Sequence, residues 1–129
     1  MNPGDKFEHY FEVTNEVYEG FMKIFNDRNA LHTDEAYAKG KGFSSIVMHG
    51  NILGGFLSYM IGECLPEKNV ILYSQQTRYR RPVYLNDRLK LTIEVADNFE
   101  SVKTTELRYT FENQDKIVVA TGTTQIGFI

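Results

Sequence analysis

The chain has one cysteine, Cys64, so no intrachain disulfide and no thiolate metal cluster can form within its 129 residues. It has only three histidines and no tryptophan. It lacks a basic surplus: fourteen Lys and Arg face seventeen Asp and Glu, a net charge of −3. A general nucleic-acid binder or membrane-surface binder needs the opposite balance, so neither class of partner is expected. No apolar run approaches the ~18 residues of a membrane span, and the opening Met1-Asn2-Pro3-Gly4-Asp5-Lys6 has no basic-then-apolar leader pattern. These absences lead to an expectation of a soluble cytoplasmic protein of one domain, residues 1–129.

What remains is an ordinary globular composition with two contrasting halves. Phe7, Tyr10, Phe11 and Val13 imply a first strand. Thr14 or Asn15 can cap a helix to about Phe25, where Val17, Phe21, Ile24 and Phe25 recur at helical spacing. Residues 26–31 read as loop, and Thr33 or Asp34 opens a short helix that ends at Gly40 and Gly42. Residues 51–64 are apolar nearly all round and would span about 21 Å as a helix. Such a helix is expected to be buried on all sides. Gly54 and Gly55 cost it roughly 1 kcal/mol each against alanine, which implies the close approach of another backbone.

Beyond Pro66 the pattern changes to long strands: Val70–Tyr79, Leu85–Val95, Ser101–Glu112 and Lys116–Phe128. Asn86-Asp87, Asp97-Asn98 and Asn113-Gln114-Asp115 supply turn chemistry. The expected architecture is α+β, an antiparallel sheet wrapped around one long central helix. A long strand left at the edge of such a sheet invites pairing, so a homodimer or higher homo-oligomer is expected.

The segment 27–50 carries the chemistry. Asp27 and His32 lie five residues apart on an irregular stretch, where they can converge on a single water; a regular helix would set them on different faces. Each alone reads more simply, Asp27 as a turn residue and His32 as a core histidine. Asn29 reads equally well as a group that holds the loop through side-chain-to-backbone bonds, and Asp34 reads as a helix cap. Gly50 precedes the apolar helix, where free amides and the helix dipole favour negative charge. His49 reads as structural. His32-x-Asp34 has no second ligand pair to make a metal site, so no metal is expected.

Asp27-x-Asn29-x-x-His32-x-Asp34, then Phe43 and Ile46-Val47-Met48-His49-Gly50, together resemble the MaoC-like, (R)-specific enoyl-CoA hydratases of the hot-dog fold. Leu65-Pro66 and Arg81-Pro82-Val83 extend the resemblance over most of the chain. Ala30 departs from it, standing where the family has proline. The resemblance implies reversible (R)-specific hydration of a trans-2-enoyl-CoA to the 3-hydroxyacyl-CoA, with Asp27 and His32 as the catalytic pair and the Gly50 amide as oxyanion donor. It also implies that Ser58, eight residues after Gly50, can approach the site.

Coenzyme A is then part of the substrate, and no separate cofactor is expected. Arg78 and Arg80 share one strand face and suit its phosphates, with Arg81, Lys39 and Lys41 nearby. The same cluster can instead meet an acyl carrier protein, which makes a 3-hydroxyacyl-carrier-protein dehydratase the nearest alternative. A thioesterase is disfavoured by the Asp-x-Asn-x-x-His arrangement. A non-catalytic acyl-CoA binding protein would have no need to retain both Asp27 and His32.

Overall fold

The computed structural model covers Met1–Ile129. Its elements are β1 (Lys6–Glu12), α1 (Asn15–Phe25), α2 (Ala30–Thr33), α3 (Glu35–Gly40) and α4 (Asn51–Tyr59), which runs on into one π-helical turn, Met60–Cys64. Then come β2 (Val70–Tyr79), β3 (Arg88–Phe99), a 3-10 turn at Glu100–Val102, β4 (Thr104–Glu112) and β5 (Val118–Phe128). The five strands form one antiparallel sheet in the order β1-β3-β4-β5-β2, which leaves β1 and β2 as its edges.

Local chemistry explains most boundaries. The Thr14 hydroxyl accepts from the Val17 amide at 3.1 Å and opens α1; Asn26, at φ 58°, closes it. Asp34 caps α3 by accepting from the Tyr37 amide at 3.1 Å, as expected. The expected loop over 26–31 gives way at Ala30, because the Asn29 side chain accepts from Leu31 N and caps a single helical turn.

β3 begins at Arg88, not at Leu85. Asn86 takes φ 71°, and the Asp87 carboxylate accepts from Tyr84 N at 2.9 Å, so the turn falls immediately before the strand. β3 also passes through Asp97-Asn98, which was expected to be a turn. A register shift between Val95 and Asp97 absorbs the polar pair. β4 starts at Thr104 because Lys103, at φ 51°, ends the 3-10 turn before it.

The core lies between α4 and one face of the sheet. Ile52, Leu53, Leu57, Met60 and Ile61 pack over Leu89, Leu91, Ile93 and Val95 of β3 and Leu107, Tyr109 and Phe111 of β4. The period of two along β3 and β4 delivers this apolar face.

One expectation is overturned. α4 is not buried on all sides: Asn51, Gly55, Ser58, Tyr59 and Gly62 form an exposed stripe. The sheet covers one side of the helix, and nothing in this chain covers the other. Nor do the paired glycines admit another backbone. A methyl at Gly54 would meet only the Gln75 amide nitrogen, at 3.7 Å, and one at Gly55 would meet nothing. β2 is exposed along most of its length, with Ile71, Leu72 and Tyr73 each about half accessible at 46%, 46% and 58%.

Candidate active site

The catalytic-loop candidates are held by short local bonds. Asp27 Oδ1 accepts from the Asn29 amide at 3.2 Å. Thr33 Oγ1 donates to the carbonyls of Arg28 and Asn29 at 3.3 and 3.2 Å. This turn chemistry exposes the Asp27 side chain and turns the next helical turn so that His32 faces inward. Asn29 thus serves the loop, capping α2, which agrees with its side-chain-to-backbone reading.

Two histidines meet behind this loop. His32 Nδ1 lies 2.6 Å from the Val47 carbonyl, and His49 Nε2 lies 2.8 Å from the Asp27 carbonyl. A carbonyl only accepts, so each of these nitrogens carries the proton. The nitrogen of His32 left to meet a water or a substrate is therefore Nε2. The two rings pack at a tilt, with centroids 4.1 Å apart and planes 30° apart. One nitrogen from each imidazole and a carboxylate oxygen of Asp27 lie within 4.8 Å of one another. That separation is the span of one bridging water.

Asp27, His32 and His49 are also the one cluster with metal-ligand chemistry in the chain. His32 Nδ1 and His49 Nε2 are already bonded to carbonyls, so only the opposite nitrogen of each ring could serve as a ligand.

Gly50 lies immediately before α4, in helical conformation. Its amide donates to no group of the protein, so the donor is available at a helix start. The ring of Tyr79 packs against it. The main chain feeding this point is fixed on both sides: Val47 N donates to Leu31 O at 3.0 Å, and Met48 N donates to Val83 O at 2.8 Å.

Two cavities flank the pair and share Asn51. The first, about 560 Å³, is lined by His32, Phe43, Met48, Gly50, Tyr79, Arg80 and Arg81, among others. The second, about 600 Å³, is mainly apolar: Val17, Phe21, Phe25, Ile52 and Phe56 line it, with Asp27 at its rim. Both are of the size that small-molecule ligands occupy.

The remaining candidates divide. Arg80 reaches the first cavity, whereas Arg78 does not. Arg78 lines a shallow polar groove of about 280 Å³ on the outer face of the sheet, with Arg80, Arg108, Thr110 and Thr121. Ser58 lies on the exposed stripe of α4 and lines neither cavity beside Asp27. Lys39 is paired with Glu35 at 3.2 Å, and Lys41 sits over the Tyr37 ring, so neither turns to the site.

Sequence reasoning missed three contributors. Tyr18 donates to the His32 carbonyl at 2.6 Å. Burial raises its hydroxyl pKa; Glu19 adds to this and Arg28 opposes it. Tyr79 and Arg108 came unflagged because their partners are far apart in the chain; only the strand pairing brings them together.

The MaoC like domain model matches residues 2–116 of the chain. The 3-hydroxybutyryl-CoA dehydratase of Methylorubrum extorquens is 29% identical over 108 residues, 84% of this chain and 69% of that protein. The (R)-specific enoyl-CoA hydratase of Rhodospirillum rubrum is 27% identical over 132 residues, 92% of each. The solved structure of the R-hydratase PhaJ1 from Pseudomonas aeruginosa superposes with a TM-score of 0.89 at 29% identity, covering 99% of this chain and 82% of that one. The α+β architecture expected from the sequence is thereby identified as the hot-dog fold of these hydratases. The chain belongs to the MaoC-like family and is an enzyme of the hydro-lyase kind.

Proposed function

We propose that the protein hydrates trans-2-enoyl-CoA to (R)-3-hydroxyacyl-CoA, and catalyses the reverse dehydration, in the cytoplasm and without a separate cofactor. One observation carries this reading: a carboxylate and an imidazole lie within 4.8 Å of each other, close enough to share one water, near an unbonded amide at a helix start. Hydration adds water across one carbon–carbon double bond. The water oxygen bonds to C3 as its proton passes to the Asp27–His32 pair, and the pair returns a proton to C2. Charge builds on the thioester oxygen between these events, and the Gly50 amide is the donor that would meet it.

The cavity with Arg80 and Arg81 suits the thioester and the phosphate-bearing arm, and the one lined by Val17, Phe21, Phe25, Ile52 and Phe56 suits the acyl chain. The exposed β2 edge and the uncovered stripe of α4 favour a homodimer, in which a second copy would cover both. The outer groove of Arg78, Arg80 and Arg108 also favours a second reading of the substrate handle. None of the three is in an ion pair with a carboxylate, so an acidic acyl carrier protein has a surface to meet.

The test is the loss of enoyl absorbance from crotonyl-CoA with wild type, Asp27→Asn and His32→Ala. Rapid loss without release of free thiol, nearly abolished by either substitution, is the expected result. Turnover confined to carrier-protein thioesters would move the assignment to the dehydratase. Thiol release, or binding without turnover, would overturn it.

A further inference from the structure

We propose that His49 is a positioning residue that holds Asp27 and His32 in register with each other and with Gly50. The inference rests on the hydratase reading for its kinetic consequence, and on bonding alone for the tether itself. Asp27 lies on an exposed, irregular stretch, and its carboxylate bonds only to the Asn29 amide, within the same loop. Its one bond to the body of the protein is the 2.8 Å contact of its carbonyl with His49 Nε2. His49 is itself enclosed: it is 3% exposed, packed on the Phe21 ring at 4.6 Å and tilted over the His32 ring at 4.1 Å. Its carbonyl accepts from the Ile52 amide at 3.1 Å in the first turn of α4. One residue therefore touches the acid loop through a hydrogen bond and the second imidazole through a ring face, and it abuts the oxyanion amide through the chain.

The opposite ring nitrogen of His49, Nδ1, is buried without any partner. The ring's only hydrogen bond is therefore the one to the Asp27 carbonyl, and an N–H on Nδ1 would be left unsatisfied in the interior. A purely structural core histidine would not need this arrangement, since an apolar ring fills the same slot.

Two substitutions separate the roles. His49→Gln keeps an N–H near the position of Nε2; His49→Phe keeps the flat ring and removes the donor. With crotonyl-CoA, His49→Phe is expected to lower kcat about 10- to 100-fold with KM changed less than about threefold, the cost of a misplaced catalytic group. His49→Gln is expected to retain kcat within about fivefold. A structural role predicts the reverse order, and His49→Phe at wild-type kcat would overturn the proposal.

Two readouts do not depend on turnover. In the nitrogen-15-labelled full-length protein, His49 should show a protonated Nε2 and a bare Nδ1. Amide exchange at Arg28 and Asn29 should quicken in His49→Phe but not in His49→Gln. The opposite tautomer, or unchanged exchange in His49→Phe, would overturn the tether even in an active enzyme. An inactive wild type with both signatures intact would instead sink the hydratase reading alone.

Discussion

The phenol ring of Tyr79 lies so close to Gly50 that a β-carbon there would stand 2.9 Å from Cε1 and 3.0 Å from Cζ. Tyr79 is itself about half exposed, so its ring can yield by a few tenths of an ångström. Gly50→Ala is therefore expected to fold, with stability changed by less than about 1 kcal/mol, while losing about tenfold or more in kcat/KM. Pairing it with Tyr79→Ala separates two reasons for the glycine. If substrate approach to the amide requires it, the double variant melts normally and stays impaired; recovered turnover would put the requirement on Tyr79.

Tyr18 tests how much the backbone of His32 matters. Tyr18→Phe removes the 2.6 Å bond to the His32 carbonyl without altering the ring. The expected cost is about 1 kcal/mol in stability, measured by denaturant unfolding. A several-fold fall in kcat with little change in KM should accompany it. A variant equal to wild type in both would remove Tyr18 from the site.

Alkaline stability follows from three tyrosines. Burial is the largest cause of a raised pKa at Tyr18, Tyr79 and Tyr109 alike; at Tyr109 the Thr77 hydrogen bond opposes it and Tyr79 adds to it. Each hydroxyl is held neutral in the folded state beyond the pH at which the unfolded chain ionises, about 10. Their contribution is thus complete below pH 10 and declines as pH rises through the folded values. Unfolding free energy is expected to fall above about pH 10, and to fall less steeply in Tyr109→Phe. A flat profile between pH 9 and 11 would contradict this.

Gly122 is the most demanding position in the sheet. A β-carbon there would come within 2.3 Å of both the Gln76 carbonyl and the Tyr109 ring. Tyr109 is buried and bonded to both Thr77 and the Gln76 carbonyl, so it cannot move aside. Gly122→Ala is expected to destabilise by about 3 kcal/mol, at the upper end for overpacking. Thermal melting checks this, and a change below about 1 kcal/mol would contradict it.

The arginines should divide by position. Arg80→Gln, at the first cavity, is expected to raise KM for an enoyl-CoA about three- to tenfold with kcat kept, the mark of lost uniform binding. Arg78→Gln and Arg108→Gln should leave that KM nearly unchanged and act only on carrier-protein substrates. Equal effects of all three on CoA substrates would show that the outer groove takes part in holding coenzyme A.

Much of this was legible in the residues, and the limits are instructive. The caps at Thr14 and Asp34 and the run of strands after Pro66 could be read because each depends on neighbours in sequence. Asp27, His32 and Gly50 could be read because their spacing is a motif. The exposed stripe of α4 could not: Gly55, Ser58 and Gly62 look as buried as their neighbours in hydropathy, and only the one-sided sheet separates them. Ser58 lies on that same stripe. His49 looked inert because its task is set by a carbonyl twenty-two positions earlier. Arg108 was invisible until β4 and β5 brought it beside β2.

The strand order bears on when this enzyme becomes competent. β2, which brings Tyr79 to the cleft, pairs only with β5, the last of the five strands in chain order. While the ribosome is still at work, the cleft lacks a wall, and a nascent chain short of Val118 exposes a greasy ribbon with nothing to zip onto. Protection of the β2 amides in a refolding pulse should therefore never precede that of β5.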